Sequence, residues 1–234
     1  MRVPCVLVRM RVGRVVRNMG GRSQGVIRRG HLPVRDDAAS GLSYSAPMAT
    51  LTKQRMTVRE FLVWAEAQTE GKYELVNGEI IRMAPERLRH NLSKAEIWLV
   101  LRAALKVAGL SNTVFTDGAG VEISDLTGRG PDAVVAASAD HDLDAMTVDD
   151  PLIVVEVVSP SREKTDTVDK LAEYFSLPSV RHYVVVWPAE KRLDHHARDE
   201  NGVIVKHTLR SGDVLRFDPP GFEVKAADIL AVGG

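Results

Sequence analysis

The stretch PLIVVEVVSPS, residues 151–161, constrains the fold more than any other part of the chain. Six of the eight residues from Leu152 to Ser159 are Leu, Ile or Val, and Glu156 stands in their midst. A strand wetted on one face alternates apolar and polar residues, whereas this run reads as a strand covered on both faces. A carboxylate in such a place is costly unless the fold brings it a proton, a cation or a metal. Glu156 is therefore the first candidate functional residue.

The surrounding pattern supplies the layers that would cover that strand. TVREFLVWAEA (57–67) has Thr57 as an N-cap and apolar residues at 58, 61, 62 and 65, the spacing of one helical face. KYELVNGEIIRMAP (72–85) carries Asn77-Gly78 between two β-prone runs, the signal of a two-residue hairpin. Residues 88–109 read as a long helix stopped by Gly109. Strand-like segments follow at 113–124, 131–138 and 152–159, with DLTGRG among the turn-rich stretches between them. Helical spacing returns over 165–177, a buried strand over 180–188, and the rest reads as a meander of short strands closing on AADIL. This order predicts an α/β (α+β) domain, a mixed central β-sheet flanked by helices.

The chain has 234 residues, enough for one substantial core. Its single cysteine, Cys5, rules out an internal disulfide and a paired-cysteine metal or redox motif, which points to a reducing, cytoplasmic setting. No apolar run approaches the roughly 20 residues of a membrane-spanning helix. Formal charge sums to +0 but is unevenly placed: residues 1–47 hold nine Arg against Asp36 and Asp37, and the remainder is correspondingly acidic. Those first residues have no steady period, and are expected to be a disordered Arg-rich leader or an over-extended start, with residues 48–234 as a single domain. An arm for a polyanion is the competing reading of the same arginines.

A second acid precedes the neighbouring apolar run. In GRGPDAVVAA, Asp132 stands at the mouth of a strand leading into the same core. Carboxylates at the ends of adjacent strands can hold a divalent ion, and all-oxygen ligation suits Mg²⁺ or Mn²⁺.

A Pro-Asp at a strand start followed by a Glu within an apolar strand resembles the core pattern of the PD-(D/E)XK nucleases. More narrowly, YELVNGEIIRMAP, RGPDAVVA, IVVEVVSPS, DKLAEYFSLPSVRHYVVV and HHARDENG resemble, in this order, the restriction-endonuclease family often called Uma-two. The resemblance runs from about Met48 to the C-terminus. It implies a restriction-endonuclease-like core and Mg²⁺- or Mn²⁺-dependent hydrolysis of DNA. By the same resemblance Asp132 and Glu156 are metal ligands, the Val157 carbonyl a third contributor, and Glu74 an acid near the site on the first strand. A strict E-x-K would place lysine at 158, where Val158 stands; the family resembles nucleases whose lysine lies on the next helix, which here gives Lys170. That lysine would orient the attacking water or stabilise charge on the scissile phosphate.

Periodicity alone places Lys170 opposite the stripe of Val168, Leu171 and Phe175, as a solvated lysine. His90 and His182 read as structural, and His195 and His196, adjacent on a strand, point to opposite faces and cannot chelate together. The loop holding Asp140, Asp142 and Asp144 fails as a calcium loop, with Ala145 and Pro151 at its sixth and twelfth positions. The acidic body fits a DNA substrate only if basic clusters such as RLRH, or a homodimer, build a positive channel. The alternatives are a nuclease-fold module that binds nucleic acid or a protein without catalysis, and a hydrolase of small phosphoesters.

Overall fold

A computed structural model describes residues 55–158 and 164–231, with the side chains of 164–166 left undescribed. The Arg-rich segment 1–47, Cys5, Ser159 and Ser161 lie outside the described residues.

Helix α1 (Val58–Glu66) opens on a capping box: the Thr57 hydroxyl accepts the Glu60 N–H at 3.3 Å, and the Glu60 carboxylate accepts the Thr57 N–H at 2.8 Å. Strands β1 (Tyr73–Val76) and β2 (Glu79–Arg82) form the expected hairpin. Asn77 and Gly78 both have positive φ, at 51° and 78°, as a two-residue turn matched to strand twist requires. Helix α2 (Leu88–Val107) ends before Gly109, whose φ of 71° lets the chain leave the helix.

Strands β3 (Val114–Thr116), β4 (Val121–Ser124), β5 (Thr127–Arg129), β6 (Ala133–Ala136) and β7 (Pro151–Val157) follow. Then come α3 (Lys164–Ser176), β8 (His182–Trp187), β9 (Arg192–Arg198), β10 (Ile204–Leu209), β11 (Val214–Phe217), β12 (Phe222–Lys225) and the short α4 (Ala226–Leu230). β5 corrects the sequence reading, which took DLTGRG as a turn. Its residues pair with both β1 and β4, so tertiary partners override glycine's poor strand preference.

The central sheet has the order β10-β9-β8-β7-β6-β3. Only β7 and β8 run parallel within it, joined through α3, and every other pairing is antiparallel. This is the expected mixed sheet flanked by helices. Alternate β7 residues face different cores: Ile153, Val155 and Val157 pack with α2 residues Ile97, Leu101 and Leu105, while Val154 packs with Tyr174 and Phe175 of α3. All seven β7 residues are buried, which explains the unbroken apolar run. A smaller antiparallel sheet, β2-β1-β5-β4, carries Glu74 and Arg129. Among the described residues no helix is long and apolar enough to cross a membrane.

Candidate active site

Glu156 sits on the face of β7 turned toward α3, and that helix provides its partners. The Lys170 ammonium lies 2.9 Å from Glu156 Oε1, and the Tyr174 hydroxyl donates to the same oxygen at 2.9 Å. Lys170 and Tyr174 are one helical turn apart, so both reach the same strand residue. This corrects the solvated reading of Lys170, which is 2% exposed, whereas Val168 is 64% exposed. The buried face of α3 runs through Lys170, Tyr174 and Phe175, and including Val168 had rotated the inferred stripe away from it.

Lys170 also lies 3.3 Å from Glu74 Oε1. Glu74 is fixed from a third side by Arg129, whose Nη1 is 3.0 Å from Oε2, and by the Gly130 N–H. Arg129 in turn makes two hydrogen bonds to Glu173 of α3, at 2.7 and 2.8 Å. Burial opposes ionisation of Glu74, but Lys170 and Arg129 outweigh it and hold its pKa below the ordinary carboxylate value. At Glu156 burial wins: with Asp132 and Glu74 adding like charge and Lys170 opposing, its pKa is pushed up to about 7.

Asp132 enters from the start of β6. Its Oδ2 accepts the Val157 N–H at 2.6 Å, and its own N–H donates to the Val155 carbonyl at 3.0 Å. These bonds lock the acid to the strand that carries Glu156. Its other oxygen, Oδ1, is 2.7 Å from Lys94 Nζ, on α2. Lys94 is also 2.5 Å from Glu86 and 2.9 Å from Asp117, and is 6% exposed. Burial disfavours the ammonium, yet Asp132, Glu86 and Asp117 together raise its pKa above that of an ordinary lysine.

His90, one turn before Lys94 on α2, places Nε2 2.6 Å from the Val157 carbonyl and 3.8 Å from Asp132 Oδ2. The carbonyl expected to help hold a metal therefore faces a cluster of polar side chains. A cavity of about 770 Å³ opens onto this region, lined among others by Glu74, Glu86, His90, Lys94, Arg129 and Asp132.

The fold thus gathers Glu74, Asp132, Glu156 and Lys170 into one polar region. The sequence reading did not single out Glu86, Lys94, Asp117 and Arg129, and it took His90 as structural; all five lie beside these residues. The available signal was the spacing of Glu86, His90 and Lys94, each four residues apart across the start of α2.

The family profile described as "Uma2: Putative restriction endonuclease" matches residues 58–227. The chain belongs to the Uma2 family. Two Synechocystis sp. proteins, the uncharacterized proteins sll1609 and slr1290, are each 26% identical to it. The first match covers 64% of this chain and 85% of the relative, the second 82% and 96%. Among solved structures, one titled as a putative nuclease belonging to DUF820 from Anabaena variabilis superimposes with a TM-score of 0.61. That match covers 75% of this chain and 98% of the other at 16% identity, a likeness of fold. For a Uma2 member, these relations make a nuclease the activity to test against the site.

Proposed function

We propose that this Uma2 protein is a divalent-metal-dependent endonuclease acting on DNA, with Asp132, Glu156 and the Val157 carbonyl as the oxygen ligands of Mg²⁺ or Mn²⁺. The observation that carries the reading is the 2.6 Å bond from Val157 N–H to Asp132, which joins the two strand-end acids and the intervening peptide into one unit. The donor set fits a hard cation, being two carboxylates and a carbonyl. The surrounding charges are largely paired: Glu86, Asp117 and Asp132 face Lys72 and Lys94, while Glu74, Glu156 and Glu173 face Lys170 and Arg129.

A bound divalent ion would supply Lewis acidity, lowering the pKa of a water and neutralising charge that builds on the phosphate. The protein's own groups do the remaining work. Lys170 holds Glu156 in place and keeps its carboxyl partly ionised against the burial that raises its pKa. Lys170, held between Glu156 and Glu74, would orient the attacking water or stabilise charge on the scissile phosphate. Tyr174 fixes one Glu156 oxygen, and Arg129 fixes Glu74 against the back of Lys170.

A second reading rests on the 2.7 Å Lys94–Asp132 contact, which already neutralises one expected ligand. On that reading the chain is a non-catalytic module that binds nucleic acid or a protein. Cleavage of a fluorescently labelled DNA duplex by the full-length protein separates the two. The nuclease reading expects cleavage that requires Mg²⁺ or Mn²⁺, stops with EDTA and is lost in Asp132→Asn. A folded protein that binds the duplex without cutting it under any divalent ion favours the module.

A further inference from the structure

Two kinds of chemistry line the cavity beside Asp132. At about 770 Å³ it falls within the range of small-molecule pockets, about 300–1,000 Å³. Lys94 on α2 and Asp132 ahead of β6 line it with charge, and the exposed Arg87 and Arg89 add to that part. Val58, Phe61 and Leu62 of α1, with Tyr73 of β1, give it an apolar and aromatic wall that hydrolysis of a phosphate does not itself require. The Tyr73 ring is held in place, meeting Trp64 edge-on at a centroid distance of 4.9 Å while its hydroxyl donates to the Glu70 carbonyl at 3.1 Å.

Gly130, two residues before Asp132, lines the same cavity. Its φ lies outside the left-handed region, and a Cβ built there meets no atom of the described residues within 4 Å. Neither backbone conformation nor packing against those residues therefore calls for glycine at this position. A glycine of this kind marks a place where a ligand approaches the backbone closely.

We propose that the cavity takes a single unpaired nucleotide of the substrate strand, passing over Gly130 with its phosphate toward Asp132 and its base against Tyr73 and the apolar residues of α1. The placing of the phosphate rests on the nuclease reading; the pocket for the base is a separate claim. A base within a duplex is paired and stacked, and it reaches a side-chain-lined pocket only from single-stranded substrate or by leaving the helix. Aromatic side chains receive any base by its π-face, so such a wall selects unpaired structure rather than sequence. Arg87 and Arg89 supply positive charge for the flanking phosphates.

The test compares a fully paired DNA duplex with the same duplex carrying one extra, unpaired nucleotide, using the full-length protein. Binding is read by fluorescence anisotropy with Ca²⁺, and cleavage on gels with Mg²⁺. Gly130→Val fills the open space and suits the extended backbone that Pro131 favours before it, while Tyr73→Leu keeps apolar bulk and removes the ring. Thermal melting checks that each variant folds. The expected result is at least about tenfold tighter binding of the bulged duplex by wild type, with that preference lost in both variants and binding of the paired duplex unchanged. Equal binding of the two duplexes by wild type, or a folded variant of either kind that keeps the full preference, overturns the proposal. A preference for the bulge without cleavage under any divalent ion leaves the nucleotide pocket standing and counts against the nuclease reading alone. Cleavage of both duplexes at one rate, with no preference in binding, overturns the pocket and leaves the nuclease reading intact.

Discussion

The Lys170 ammonium lies between two buried carboxylates, 2.9 Å from Glu156 and 3.3 Å from Glu74. Removing one partner of such an arrangement leaves charge uncompensated, at a cost of about 3–5 kcal/mol. Lys170→Met is predicted to lose stability of that order at pH 8. Without the ammonium, Glu156 is driven further toward its protonated form. Its folded pKa then exceeds the unfolded value by more, so the penalty is greatest at high pH and shrinks as pH falls toward 5. Urea unfolding of wild type and variant at pH 8 and pH 5 checks this, and an equal deficit at both contradicts it.

Gly78 holds a φ of 78° in the β1–β2 turn, and a Cβ built there would lie 2.5 Å from the Arg55 Cβ. Gly78→Ala meets both a disfavoured backbone conformation and a close contact. It is predicted to destabilise the protein by more than about 1 kcal/mol. Chemical denaturation measures the loss, and a neutral result contradicts the turn assignment.

Buried histidines give the stability a pH dependence in the opposite corner of the sheet. His182 Nδ1 and His195 Nε2 are 3.0 Å apart, so the pair cannot both be fully protonated there. Burial pushes His182 down to about 4; burial and then His182 push His195 down to about 3. The unfolded chain binds these protons near pH 6.5, so the stabilisation is complete above that pH and is lost as pH falls toward 4. Each histidine accounts for up to about 1.4 kcal/mol per pH unit in that window. Glu156, with a raised pKa, acts in the opposite sense between about 4.5 and 7. The check is therefore a difference: between pH 6.5 and 4.5 the melting temperature should fall less steeply in a His182→Gln/His195→Gln double variant than in wild type.

Much of this architecture was legible because local chemistry and tertiary packing agreed. Thr57 with Glu60, Asn77-Gly78 and Gly109 mark their boundaries by cap and turn chemistry, and the run around Glu156 announces a doubly covered strand. Asp132 and Glu156 stood out because a carboxylate beside an apolar run needs a partner. The partners themselves were harder to read. Lys170 belongs to the buried face of α3, but an exposed Val168 made the apolar stripe point elsewhere. His90 and Lys94 lie in the first turns of a helix read as having one broad apolar face; its buried stripe is Ile97, Leu101 and Leu105, while Leu88, Leu92 and Leu99 are exposed, so the apolar pattern did not mark the buried polar residues ahead of it. Arg129 lies in a glycine-rich stretch that becomes strand only through its pairing with β1 and β4. These side chains are brought together from elements distant in sequence, which periodicity within one element does not encode.

The central claim is that Glu156 lies at the centre of a metal-dependent phosphodiesterase site. Calorimetric titration of Mg²⁺ into the full-length protein and into Glu156→Gln, with nicking of supercoiled plasmid followed on the same samples, tests it most directly. The account predicts that the wild type binds the ion and nicks, and that Glu156→Gln folds but loses nicking and most of the Mg²⁺ binding. A wild-type protein that folds yet neither binds Mg²⁺ nor nicks, or a Glu156→Gln variant that nicks as fast as wild type, contradicts it.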